Sequence, residues 1–269
     1  MRSEFSIYLR LISIRIRSQM QYRLSFMLDV VSSAVVVGVS FLTIALVLQT
    51  FDGIGGWNLW EVGFLYGMVE IAFGIMDMLF SGFDPAFFGN RVRLGAFDQM
   101  LLKPVNIYLQ VFGSEFILRR LGRIAQGGIV LALAIANLEI AWTVGKLLYL
   151  PVVLAGMVCF FGGLFIVGAT ITFWTIESIE VINIFTYGGN EMMAYPMHIY
   201  PDWMRRFFTF ILPGIFMNYY PALYILDKPD PFGMPAFAPW LAPFVGLGVL
   251  AVSLWFWRFG LAHYQSTGT

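Results

Sequence analysis

The sequence predicts an all-α integral membrane protein with about six transmembrane helices, and three observations carry that expectation. Of the 269 residues, 59% are hydrophobic and only 12% are charged, half the ~25% charged share of a water-soluble domain, so most of the surface must face lipid. Long apolar stretches recur along the chain, and a bilayer core of roughly 30 Å needs roughly 20 such residues per helix. The basic residues are also segregated: residues 2–23, 84–123 and Arg258 hold twelve of the sixteen.

Residues 2–19 read as a helix with Phe5, Leu9, Ile12 and Ile16 on one stripe and Ser6, Arg10, Ser13 and Arg17 beside it. Such a helix lies in the inner-leaflet interface, and residues 1–23 are assigned that role. Ile7, Leu11 and Ile14 form a second apolar stripe, so a simple basic anchor remains open as well. No small-residue cleavage site follows the first apolar run, and no removed signal peptide is expected.

The first span covers residues 24–48, interrupted only by Asp29, and gives way to Gly53, Gly55 and Gly56 and the interfacial Trp57 and Trp60. A second runs over 59–83 with Glu61, Glu70 and Asp77 in it, and Gly63 and Gly67 offer a small-xxx-small contact. The third span is expected at 124–142, the fourth at 147–174 and the last at 240–257, followed by Arg258 and His263. The fifth falls either on 171–195, which carries Glu177, Glu180, Asn183 and Glu191, or on 207–226, broken by Pro213 and Pro221. Short cytoplasmic loops retain Lys and Arg, so six spans with a cytoplasmic N-terminus place every basic cluster, and both termini, inside. The whole chain, 1–269, is then one transmembrane domain.

Residues 84–123 form a basic loop broken by Gly and Pro. Within it a short helix over 96–103 follows Gly95 and ends at Pro104, which disfavours helix in the residue before it. Phe97, Met100, Leu101 and Leu102 give it an apolar face, flanked by Asp98 and Lys103. Such a face in water either meets a protein partner or packs under its own bundle.

The run of basic residues, Gly95, Phe97-Asp98, Leu101-Leu102, Lys103 and Pro104 resembles the cytoplasmic loop of permease subunits in the second ABC-export superfamily, in its six-span bacterial group. Tyr195-Pro196, Tyr200-Pro201, Leu212-Pro213 and Tyr220-Pro221 resemble the same family downstream. The resemblance covers nearly the whole chain. It implies a bacterial inner-membrane exporter subunit whose Gly95 to Pro104 segment is a coupling helix docked on an ABC ATPase. It also implies a second permease chain, identical or related, that completes the pathway. ATP and Mg2+ would bind the ATPase and no cofactor would bind this chain. The resemblance further implies an external re-entrant hairpin over 196–239, including Pro201, Pro213, Tyr220 and Pro221, with 171–195 as the fifth span. Arg205 and Arg206 argue against an external position on charge grounds.

Glu70 and Asp77 lie two helical turns apart on one face of the second span. Ionisable groups in spans face a bundle interior or a watery path, so the two either line a pathway and carry protons, or pair with basic residues of the first or third span, or lie near the cytoplasmic end where Asp77 and Asp84 meet water. Pairing is the simpler reading. Proton carriage would make the chain a proton-coupled secondary transporter, but no inverted repeat relates its halves. Glu177 and Glu180, one turn apart, are expected near the inner interface.

Several activities find no support. Gly145-Lys146 lacks the rest of a phosphate-binding loop, so the chain is not itself the ATPase. His198 and His263 lie in no metal-binding pattern, and Cys159 is the sole cysteine. A net charge of zero gives no bias toward nucleic acid. The sequence does not name the substrate.

Overall fold

A computed structural model describes residues 4–50, 53–175 and 180–266; everything regular among them is helical, save one isolated bridge between Ile54 and Trp57. Helix α1 (Glu4–Met20) is followed after a two-residue break by α2 (Arg23–Thr50). Helix α3 (Leu59–Leu79) starts at a capping box: Asn58 accepts from the Trp60 and Glu61 amides, and Glu61 accepts from the Asn58 amide at 2.9 Å. Three short helices follow: α4 (Pro85–Arg93), α5 (Ala96–Leu101) and α6 (Ile107–Phe112). Then come α7 (Leu121–Asn137) and the long α8 (Val144–Thr175).

After α8 the chain returns through α9 (Glu180–Asn183), a π-turn (Ile184–Gly188) and α10 (Gly189–Met193). Helix α11 (Asp202–Arg206) runs into a second π-turn (Phe207–Ile211); α12 (Tyr219–Ile225) and α13 (Leu241–His263) complete the chain.

Arg23–Leu48, Leu59–Leu79, Val144–Thr175 and Ala238–His263 are each long and apolar enough to cross a bilayer. The expected third span is shorter than the sequence reading made it. Helix α7 has 17 residues and stops at Asn137, whose side chain turns back to the Leu133 carbonyl, so it is about 25 Å long. The stretch 207–226 is not one helix, because Pro213 separates the π-turn from α12. Residues 171–175 prolong α8 rather than opening a new element. Glu177 and the side chain of Glu180 lie outside the described residues.

Helix α3 occupies the middle of the bundle and α2 its rim, where Leu24, Leu28, Val31, Val35, Val39 and Leu42 face outward. Helix pairs α2–α7, α3–α7 and α8–α13 meet backbone to backbone at glycine, the first where Gly122 lies against the Val30 carbonyl. A Cβ on Gly67 of α3 would stand 2.8 Å from Leu131 of α7. One on Gly246 of α13 would collide with the Gly156 carbonyl of α8. Within lipid, where apolar burial gives little drive, such close contact is what holds helices together.

The segment over 196–239 sits at the end of the bundle where α3 and α8 begin. His198 Nε2 lies 2.7 Å from the Gly55 carbonyl, and Lys228 pairs with Glu61 at 2.7 Å. Lys146 donates to the Ile225 carbonyl at 3.0 Å and meets Asp227 at 2.6 Å. The opposite end holds α4 to α6 and carries Arg91, Arg93, Lys103, Arg119 and Arg120.

Candidate functional site

The basic end is built from a chain of short-range choices. Asp84 caps α4 by accepting from the Ala86 amide at 2.9 Å, and Pro85 occupies the first turn, where it loses no helical bond. Burial pushes the Asp84 carboxyl above its ordinary range, while the amides of Ala86 and Phe87 oppose the shift. Gly95 adopts φ 67°, a left-handed value that suits glycine, and so turns the chain sharply from α4 into α5.

Helix α5 ends at Leu101, with one further turn through Lys103 held by the Leu102 and Lys103 amides; the expected helix reached Lys103 itself. Gln110 then fixes the turn containing Pro104 by donating to the Met100 carbonyl at 3.0 Å and the Val105 carbonyl at 2.8 Å. On the far side Arg91 donates to Ser114 at 2.5 Å and to Glu115 at 2.7 Å. Burial draws the Arg91 guanidinium below its ordinary value and Glu115 offsets the shift.

The apolar face expected on α5 is divided. Phe97 is fully buried, with its ring 5.1 Å from Phe88 and 5.3 Å from Phe173. Phe97 therefore takes the second of the two alternatives, packing under its own bundle, and its place in an outward docking face is corrected: the aromatic cluster takes up its ring, while Leu101, one turn on along the same face, stays only partly covered and Leu102 points further round the helix. Leu101 and Leu102 are 41% and 85% exposed, with Leu94 beside them at 64%. Asp98 is also engaged, accepting from Tyr264 Oη at 3.0 Å and Ser266 Oγ at 2.7 Å. The Tyr264 hydroxyl is pushed up to about 12 by burial first and by Asp98 second.

Helix α1 braces this end. Gln19 accepts from the Leu118 amide at 3.0 Å, Arg15 lies 3.8 Å from Glu115, and Gly113 lets α6 approach Leu11. Ile7, Leu11 and Ile14 line a cavity of about 400 Å3 shared with Ala96, Met100 and Lys103. Ile7 and Leu11 of the second apolar stripe are thus partly covered by the basic loop, while Ile14 stays 62% exposed.

Glu70 and Asp77 are both buried and both paired with the start of α7. Arg123 binds Glu70 through Nε and through Nη2 at 2.9 Å, Asn190 donates to the same carboxylate at 3.2 Å, and the guanidinium lies 4.5 Å over the Phe73 ring. Arg120 Nε stands 2.7 Å from Asp77 Oδ2 in an ion pair whose two atoms are not aligned for a hydrogen bond. A polar cavity of about 520 Å3 opens beside them, lined by Asp29, Ser33, Ser40, Tyr66, Arg119 and Glu191 among others.

At the hairpin end Pro201 starts α11 by accepting from the Met204 and Arg205 amides, and Pro213 stops the helical run. Tyr220 stacks on Phe216 at 5.4 Å beside a buried Pro221. Arg205 is satisfied locally by Asp202 and by the Phe232 ring at 4.8 Å. His198 is held between Gly55 and the Tyr219 hydroxyl, and no group of metal-binding side chains occurs among the described residues.

A family model described as ABC-2 family transporter protein matches residues 34–268. The chain belongs to the ABC-2 transporter family. Comparison with curated proteins and with solved structures finds no match. An ABC-2 permease is a multi-pass transmembrane subunit that works with ABC ATPase subunits, in agreement with the resemblance read from the Gly95 to Pro104 segment.

Sequence reasoning missed Asn190 and Glu191 as neighbours of Glu70, and missed Phe173, Trp257 and Tyr264 as neighbours of Phe97. All of these contacts span long sequence separations and leave no local signal.

Proposed function

We propose that the chain is half of the transmembrane pathway of an ABC exporter, completed by a second permease chain and driven by separate ATPase subunits that bind ATP and Mg2+. It would sit in the inner membrane with both termini in the cytoplasm and six crossings. Four of these are the long helices; α7 and the Glu180 to Met193 return supply the other two. The α2 rim faces lipid or the second chain. The hairpin over 196–239 lies outside, where Arg205 is tolerated because Asp202 neutralises it. A cysteine at Asp202, in a Cys159→Ser background, is expected to react with an impermeant thiol reagent from outside; labelling only after the membrane is opened would reverse that placement.

The observation that carries this reading is the exposed Leu94, Leu101 and Leu102 edge on a braced turn at the basic end. Each apolar side chain buried in a partner's groove contributes roughly 1.5–3 kcal/mol, and every 1.4 kcal/mol is about tenfold in affinity. Leu101→Ala with Leu102→Ala is therefore expected to lose the ATPase on affinity purification while the permease still inserts. Retention of the partner by that double variant would remove the docking assignment.

Proton-coupled transport is the weaker reading. Glu70 and Asp77 are engaged by Arg123 and Arg120, the compensation that a purely structural role for buried carboxylates requires.

A further inference from the structure

We infer that Phe97 is a transmission residue rather than a docking residue: it hands the movement of α5 to the α8–α13 pair, which carries it to the hairpin at the opposite end. This rests on the proposal that α5 lies on the ATPase.

By chain order α5 lies between α3 and α7, and a rigid linker there would move those two helices. The contacts run elsewhere. Phe97 meets Phe173 in the last turn of α8 at 5.3 Å, Trp257 of α13 at 6.3 Å and Tyr264 just beyond α13 at 5.1 Å. Asp98, the next residue, takes hydrogen bonds from Tyr264 and Ser266. Helix α5 is therefore fastened to the basic ends of α8 and α13 by a buried ring and a carboxylate.

The two helices so joined form one body. Besides Gly246 over Gly156, a Cβ on Gly260 would come within 2.9 Å of Phe173. With 32 residues, α8 is about 48 Å long. Its far end holds the hairpin through Lys146 and Asp227, and Tyr149 packs on Trp240 at 4.9 Å. A push on α5 thus has a stiff path to the far end.

The ring cluster is also able to shift. Trp257 is fully buried, yet its Nε1–H has no acceptor among the described residues. Ring edges hold it, and no hydrogen bond ties it to one position, so displacement there breaks no directional bond.

The test uses the whole complex with its ATPase subunits. Phe97→Ala is expected to keep ATPase co-purification and basal hydrolysis. Transport per ATP should fall by at least ~5-fold, the low end of ordinary coupling between sites, and Phe97→Leu should restore most of it. Loss of the ATPase with Phe97→Ala, or unchanged transport per ATP, overturns the inference.

Because Phe97→Ala could unfold the cluster, spin labels give a second measurement in otherwise unaltered rings. In a Cys159→Ser background, Gln99→Cys on α5 is paired with Thr175→Cys on α8 or with Leu121→Cys on α7; all three positions are exposed. On nucleotide binding the first distance is expected to stay constant while the second changes by more than about 2 Å, the scale of a real rearrangement. Any other pattern refutes the wiring. A wild-type complex that never forms would instead refute the ATPase reading on which it rests.

Discussion

The α3–α7 pair and the α8–α13 pair are built alike at the backbone and differently in charge. Both meet at glycine, through Gly67 and Leu131 in one and Gly246 and Gly156 in the other. Only the first is cross-linked by buried ions, Glu70 with Arg123 and Asp77 with Arg120. Between α8 and α13 no ion pair occurs among the described residues, and the buried hydroxyls of Thr170 and Ser253 bond back to their own helices. A pair of buried charges tolerates only one register, because separating them leaves each uncompensated in a low-dielectric interior. Apolar and glycine contacts hold α8 and α13 together without locking the pair by charge to the rest of the bundle. The difference is in keeping with the inference above, in which α8–α13 moves as one body against a charge-locked α3–α7.

Breaking the ion pair should have the largest effect. Arg123→Ala leaves Glu70 buried and unpaired, a change that costs roughly 3–5 kcal/mol, and thermal unfolding in detergent should fall accordingly. Replacing both, Glu70→Met with Arg123→Met, should recover most of that loss, since apolar pairs of similar volume often substitute without cost. If α3–α7 is static, the double variant also transports normally; a stable but inactive protein would make Glu70 a pathway residue instead.

A smaller effect is expected at the glycine contact. Gly246→Ala places a methyl against the Gly156 carbonyl and should cost about 1–3 kcal/mol by overpacking. Its signature should be a larger loss of transport than of ATPase binding, because it disturbs the moving pair.

The smallest effect is expected at Tyr264→Phe, which removes one hydrogen bond to Asp98, worth about 0.5–1.5 kcal/mol. The Tyr264 hydroxyl has its folded value raised to about 12 from an ordinary 10.0. The protonated form is therefore the one the fold prefers. Its contribution is complete below pH 10.0 and is lost as pH rises through about 12. Wild type and Tyr264→Phe should converge in stability at that upper limit.

The long spans were readable because eighteen or more apolar residues in a row have few other uses. Helices α2, α3, α8 and α13 each lie within a few residues of where the sequence puts them. Helix α7 begins earlier than expected because Arg123, which marks a water-exposed loop in one dimension, is cancelled by Glu70 in three. That Glu70 and Asp77 would be compensated was legible from cost alone, since an unpaired charge in a span is expensive; that Arg123 and Arg120 at the start of the third span, and not the first span or water, supply the compensation was not. The direction of Phe97 was not. Its neighbours Phe173, Trp257 and Tyr264 lie far along the chain, and an apolar residue in a loop reads the same whether it faces a partner or its own bundle.

The central claim is that this chain works as the membrane half of an ATP-driven machine. Affinity purification of the wild-type protein from its native membranes, followed by identification of the associated subunits and assay of Mg2+-dependent ATP hydrolysis, tests it most directly. An ABC ATPase and its hydrolytic activity should co-elute with the chain. A permease that purifies intact with no ATPase, from membranes in which it supports transport, would contradict the account.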